Sequence, residues 1–106
     1  MALYVVKAKP RKELMKSLRQ ELDSGNISKL VPFGEELHHR LDNARADGSY
    51  AYCVEEDDCS PPLAMERASV LDRYFDDISV DPVDSEEQGW NKIKDRPALW
   101  LRSANL

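Results

Sequence analysis

The chain has 106 residues, a mass of 12.1 kDa and 42% hydrophobic residues, enough for one domain with a modest core and too little for a second. Its formal net charge of −5 argues against nucleic acid as a partner, since no domain-wide basic field exists to replace phosphate counterions. No apolar run approaches the roughly 20 residues that cross a bilayer, and Lys7 and Lys9 follow the apolar start, the wrong order for a signal peptide, so a cytoplasmic protein with no membrane partner is expected.

Leu3 to Ala8 reads as a strand with apolar groups on both alternating sets, Leu3 and Val5 against Tyr4, Val6 and Ala8, so both of its faces want cover. Pro10 ends it and opens a helix to about Ser24, in which Leu14, Leu18 and Leu22 lie one above another, before the stop at Gly25. Ile27 to Val31 is expected as a short second strand, closed by Pro32 and Gly34. Residues 34–45 read two ways. Phe33, Leu37, Leu41 and Ala44 suit one helix face, with His38, His39, Arg40, Asp42 and Arg45 outward; alternatively the later part runs extended into a hairpin around Ala46-Asp47-Gly48-Ser49. A short helix or helical turn from Gly34, then an irregular or extended passage into that turn, is favoured.

Tyr50 to Glu55 is a strand, again apolar on both faces, followed by the acidic run Glu55 to Asp58. Ser60 and Pro61 mark the start of the clearest helix, reaching Phe75, with Leu63, Val70, Leu71, Tyr74 and Phe75 on its apolar stripe. Ile78 to Val83 is a one-sided last strand, and Asp84 to Gln88 reads as a polar linker. Residues 1–84 therefore form an α+β domain, with residues 85–106 a tail packed on it. So apolar a tail is expected to dock Trp90 and Trp100 on the body or on a neighbour.

Charge is unevenly spread. In the first twenty residues Lys7, Lys9, Arg11, Lys12, Lys16 and Arg19 stand against Glu13, a local +5; between Ala51 and Trp90 twelve acidic residues stand against Arg67 and Arg73, a local −10. Such asymmetry usually marks only a solvated surface, but complementary fields can also steer one copy onto another.

His38 and His39 are the only histidines, so neutral-pH acid–base work would fall to them; otherwise they are solvated groups beside Leu37 and Leu41. Adjacent residues on a helix point about 100° apart, so at most one belongs to a site. Tyr4, Tyr50 and Tyr52 are candidates to line a ligand pocket above the sheet, or else are core and interface residues. No metal site is expected: the run Glu55-Glu56-Asp57-Asp58 lacks the spacing of a cation loop, and Cys53 and Cys59 form no paired Cys-x-x-Cys. Cys53 is expected as a buried thiol and Cys59 as a loop thiol, too far apart for a relaxed disulfide. No glycine-rich phosphate loop or nucleophile elbow occurs, and no cofactor is expected.

Read coarsely, the order is strand, helix, strand, variable passage, strand, helix, strand, which is the ferredoxin-like split βαβ arrangement. Glu21-Leu22-Asp23-Ser24-Gly25-Asn26-Ile27, then Pro32-Phe33-Gly34, resembles the end of the first helix and the second strand in dimeric α+β barrel proteins of the YciI-like and muconolactone-isomerase-like kind. The resemblance implies two copies with stacked sheets and a small-molecule site between sheet and helices. YciI-like proteins are suspected of using a histidine near the start of the first helix; Pro10 to Glu13 contains none, so no catalytic residue carries over. The two-faced strands also argue for a homodimer, because two helices cover one face and the other needs the tail, a partner, or both. The expected function is a non-catalytic homodimeric association or small-ligand-binding module. The alternative is an isomerase- or lyase-type enzyme, with His38 or His39 as general base and Tyr50 or Tyr52 orienting the substrate.

Overall fold

The first strand, β1, spans Ala2–Pro10 and lies inside the sheet, because its two alternating apolar sets are both covered by elements later in the chain. The structure, a computed structural model, describes residues 2–58 and 60–100; the expected loop thiol Cys59 lies outside them. After a 3-10 turn over Lys12–Leu14 come α1 (Met15–Asp23) and α2 (Gly34–Asp42), then β2 (Arg45–Asp47) and β3 (Tyr50–Asp57). Next is a continuous helical segment, α3, built of Ala64–Glu66, a widened π-helical turn Arg67–Leu71 and Asp72–Tyr74. It leads into β4 (Phe75–Val83) and α4 (Glu86–Ile93). The four strands form one α+β sheet in the order β2-β3-β1-β4, antiparallel at every pairing. Among the described residues no helix is long and apolar enough to cross a membrane.

The register divides the side chains between two faces. Val6 lies opposite Cys53 and Val80, Ala8 opposite Ala51, and Tyr4 opposite Glu55, so these share one face. On it the main core forms, with Leu18 and Leu22 of α1, Leu37 and Leu41 of α2, and Leu63, Val70, Leu71 and Tyr74 around α3. Val5, Val54 and Val83 belong to the other face, where α4 packs against β1, β3 and β4. Gly89 brings α4 down onto the sheet: a Cβ there would stand 3.1 Å from Val54 Cγ2 and 3.3 Å from Val83 Cγ2. Ile93, one turn on, is fully buried. Thus part of the tail covers the second face over Val54 and Val83.

From α4 the chain turns round the outer edge of the sheet. Ala46 N–H donates to Pro97 O at 2.8 Å and Leu99 N–H to Ala44 O at 2.9 Å, with Ala98 bridging antiparallel to Arg45. Trp100 thereby arrives on the first face, inside the main core, and its Nε1–H donates to Leu41 O at 2.7 Å.

Three expectations require correction. Ile27 to Val31 is a run of turns, not a strand, because its backbone groups are satisfied locally: Lys29 N–H donates to Gly25 O, Leu30 N–H to Ile27 O and Gly34 N–H to Leu30 O. The strand that pairs with β3 is instead Arg45–Asp47, joined to it by the two-residue loop Gly48-Ser49, so the extended passage favoured after the helix from Gly34 is present. The third helix starts at Ala64, not Ser60; Leu63 takes a left-handed backbone at φ 63°, and its N–H is accepted by Asp57 Oδ2 at 2.6 Å. Residues 84–88 are not a linker. Ser85 caps α4 by accepting from Gln88 N–H at 3.0 Å, while Gln88 Oε1 accepts from Asp84 N–H at 2.6 Å, reciprocal bonds of the capping-box kind.

Candidate functional site

β2 pairs only with Tyr50 to Tyr52, so among the described residues the outer edge of β3 from Cys53 onward carries no neighbouring strand. An open edge of this sort exposes backbone donors and acceptors that a fold must cover or use. Here α2 flanks it from one face and α4 from the other, leaving a cleft of about 290 Å³ lined by His39 and Arg40 of α2 and Asn43 just after it, Cys53 and Val54 of β3, and Glu86, Trp90 and Ile93 of α4. Its size lies near the lower end of the range for small-ligand sites, and it combines an apolar wall with a few polar groups, as such sites do.

Arg40 is the centre of the cleft. Sequence periodicity put it outward beside His39; the structure buries it to 9% exposure, because it sits one turn after Leu37 and Glu36 on the rim of the inward stripe. Its Nη2 donates to Glu86 Oε1 at 2.9 Å, tying α2 to α4 across the edge of β3. Its Nε lies 2.9 Å from Glu36 Oε2, at ion-pair distance without hydrogen-bond alignment. The Arg40 guanidinium holds the Glu86 carboxyl below the ordinary carboxylate range.

Behind Arg40 lie two groups that sequence alone did not place together. Glu55 is 1% exposed, and burial pushes its carboxyl well up despite the nearby Arg40 charge. The Cys53 thiol stands 3.7 Å from Glu55 Oε2 and is likewise pushed well up, first by burial and then by that carboxyl. Cys53 is therefore a neutral wall group and no nucleophile. Glu66, also buried, has its carboxyl raised by burial too.

Glu55 makes stability depend on pH with a definite sign. The folded chain keeps its proton at pH values where the unfolded carboxyl, with its ordinary value of 4.5, has lost it. Above that pH the native state binds more protons than the unfolded one, so this contribution is full in acid and is lost as pH rises. Glu55→Gln should therefore flatten the fall in stability above pH about 4.5. Urea midpoints of variant and wild type, compared across that range, separate Glu55 from the opposite-signed Asp76 and Glu86; parallel curves would show that Glu55 is ionised in the fold.

The two histidines part company. His39 is exposed on the cleft wall, with Asn43 Nδ2 donating to its carbonyl at 2.9 Å and lying 3.5 Å from its Nδ1. His38 is half-buried and does not line the cleft; among the described residues its Nδ1 has no hydrogen-bond partner. The three tyrosines do not converge. Tyr4 points to the first face opposite Glu55, whereas Tyr50 and Tyr52 lie on the second, under Lys7 Nζ at 4.3 Å and the Arg96 guanidinium at 4.2 Å. Between sheet and helices, where the resemblance implies a ligand site, the cavity measures only about 20 Å³, room for about one water. Among the described residues no three His, Cys, Asp or Glu side chains are grouped to hold a metal ion.

No protein-family model matches this chain, and no curated protein or solved structure matches it. The cleft must be read from its own chemistry.

Proposed function

We propose that this chain is a non-catalytic small-ligand-binding module of the ferredoxin-like split βαβ type, whose ligand enters the cleft between α2 and α4. The strand order, with helical connections after β1 and β3, supports the fold assignment. The observation that carries the function is Arg40, a charged side chain only 9% exposed that nonetheless lines an open cleft together with Trp90. A buried charge is costly to maintain unless it is paired, and the two carboxylates that pair with Arg40, Glu36 and Glu86, are more than half exposed and can be exchanged for a ligand's.

Homodimer formation ranks second to ligand binding, because α4 already covers the sheet over Val54 and Val83 that a partner would otherwise cover. An isomerase- or lyase-type enzyme with His39 as general base is the alternative, favoured by one observation, the exposed imidazole on the cleft wall.

A metabolite panel screened by thermal shift tests the proposal. Compounds that bind the native state raise the melting temperature by mass action, and those rises should vanish in Trp90→Ala. Rises that persist in that variant would place the ligand elsewhere.

A further inference from the structure

We propose that the ligand of this cleft is a small planar carboxylate, which takes the place of the Glu86 carboxylate on Arg40. The inference rests on the ligand-binding reading above and names the class of molecule it implies. Arg40 cannot leave its place, being nine-tenths buried on α2, but its two ionic partners can: the Glu36 and Glu86 side chains are 54% and 59% exposed. Pairs with so hydrated a partner contribute little and exchange readily. The guanidinium offers a fixed fork of donors suited to a carboxylate, and Glu86 Oε1 at 2.9 Å from Nη2 shows that a carboxylate oxygen fits there.

The surroundings select for a planar body. Glu86 and Trp90 are four residues apart on α4, so they share one face, and a carboxylate at the Glu86 position has the indole beside its remaining atoms. His39 on the last turn of α2 and Asn43, the residue that caps its end, place two further polar groups on the opposite wall. With Cys53 a buried neutral thiol on the wall and the Arg45 guanidinium 4.8 Å from the Trp90 ring centre, an incoming carboxylate meets cationic surroundings once the exposed Glu86 and Glu36 side chains have swung out.

The test uses benzoate as the probe and benzamide as its neutral, equally planar counterpart, each titrated into the full chain while the Trp90 indole N–H is followed by NMR. Benzoate should shift that signal saturably, with benzamide weaker by about tenfold, as loss of a charge-assisted pair requires. Glu86→Gln removes the internal competitor and should tighten benzoate about two- to fivefold, leaving benzamide unchanged; it touches only an exposed side chain and should fold. Equal binding of benzamide and benzoate, or weaker binding of benzoate to Glu86→Gln, would overturn the carboxylate assignment. Failure of benzoate while a neutral compound from the panel still shifts Trp90 would overturn it too and leave the cleft as the ligand site. Silence from every compound would overturn both.

Discussion

Trp100→Ala should lower the stability of the fold by about 3–5 kcal/mol, the range for removing a buried tryptophan from a core. Trp100 is 9% exposed, contacts the main core from the end of the chain segment that wraps the sheet edge, and carries the Arg19 guanidinium 5.0 Å from its ring centre. Its loss also removes the 2.7 Å indole donor from Leu41 O, an end-of-helix carbonyl of α2 that then keeps only longer backbone contacts such as Ala44 N–H at 3.2 Å. Since small domains hold only about 5–15 kcal/mol in total, the variant should stand close to unfolding at room temperature. Trp100→Phe keeps most of the ring and should lose less. Denaturant midpoints measure both, and an alanine variant with an unchanged midpoint would show that the segment after α4 does not hold the core together.

Gly34→Ala should be the second most damaging change, and its sign is informative. Gly34 opens α2, where alanine would ordinarily help by up to about 1 kcal/mol. Here the added Cβ would stand 2.8 Å from Ser28 O and closer still to Ile27 O, both of them backbone atoms that cannot rotate away. The turn segment before α2 must move as a body, and Ile27, 4% exposed, moves with it. A loss of about 3 kcal/mol, at the upper end of the usual cost of overpacking, is expected by thermal or denaturant unfolding. A stabilised variant would mean that the turns of residues 27–31 do not pack against the start of α2.

Those turns show where the sequence is legible and where it is not. β1, β3 and the apolar stripe of α3 can be read directly, because the β-branched and aromatic runs closed by Pro10 and opened after Gly48, and the three- and four-residue apolar spacing after Pro62, leave little choice of structure. Ile27-Ser28-Lys29-Leu30-Val31 carries β-branched residues at both ends and is closed by Pro32, yet only Ile27 is well buried and Val31 stands 85% exposed, since the place beside β3 is taken by Arg45–Asp47. Strand pairing is a tertiary choice that a five-residue pattern does not encode.

The helix α4 was hidden by Gly89 in its middle and by three polar residues at its start, though Ser85 and Gln88 three apart carried a capping signal. Missing α4 meant missing the cleft, which exists only because that helix docks opposite α2 at the open edge of β3. Of the residues singled out from sequence for a site, His39 alone lines it. Arg40 was obscured by its own charge: beside two histidines it reads as a surface residue, yet its spacing from Leu37 and Ala44 places it on the buried stripe. Glu55 was masked in the same way by the acidic run it begins.

The measurement that bears most directly on the ligand-binding cleft is an NMR map of the backbone and tryptophan N–H signals with a compound that raises the melting temperature. The account predicts saturable shifts centred on His39, Arg40, Asn43, Val54, Glu86 and Trp90, with Tyr4 and Tyr50 unmoved. Shifts centred on Tyr50, Tyr52 and Lys7 instead would move the binding surface to the open sheet face and contradict it.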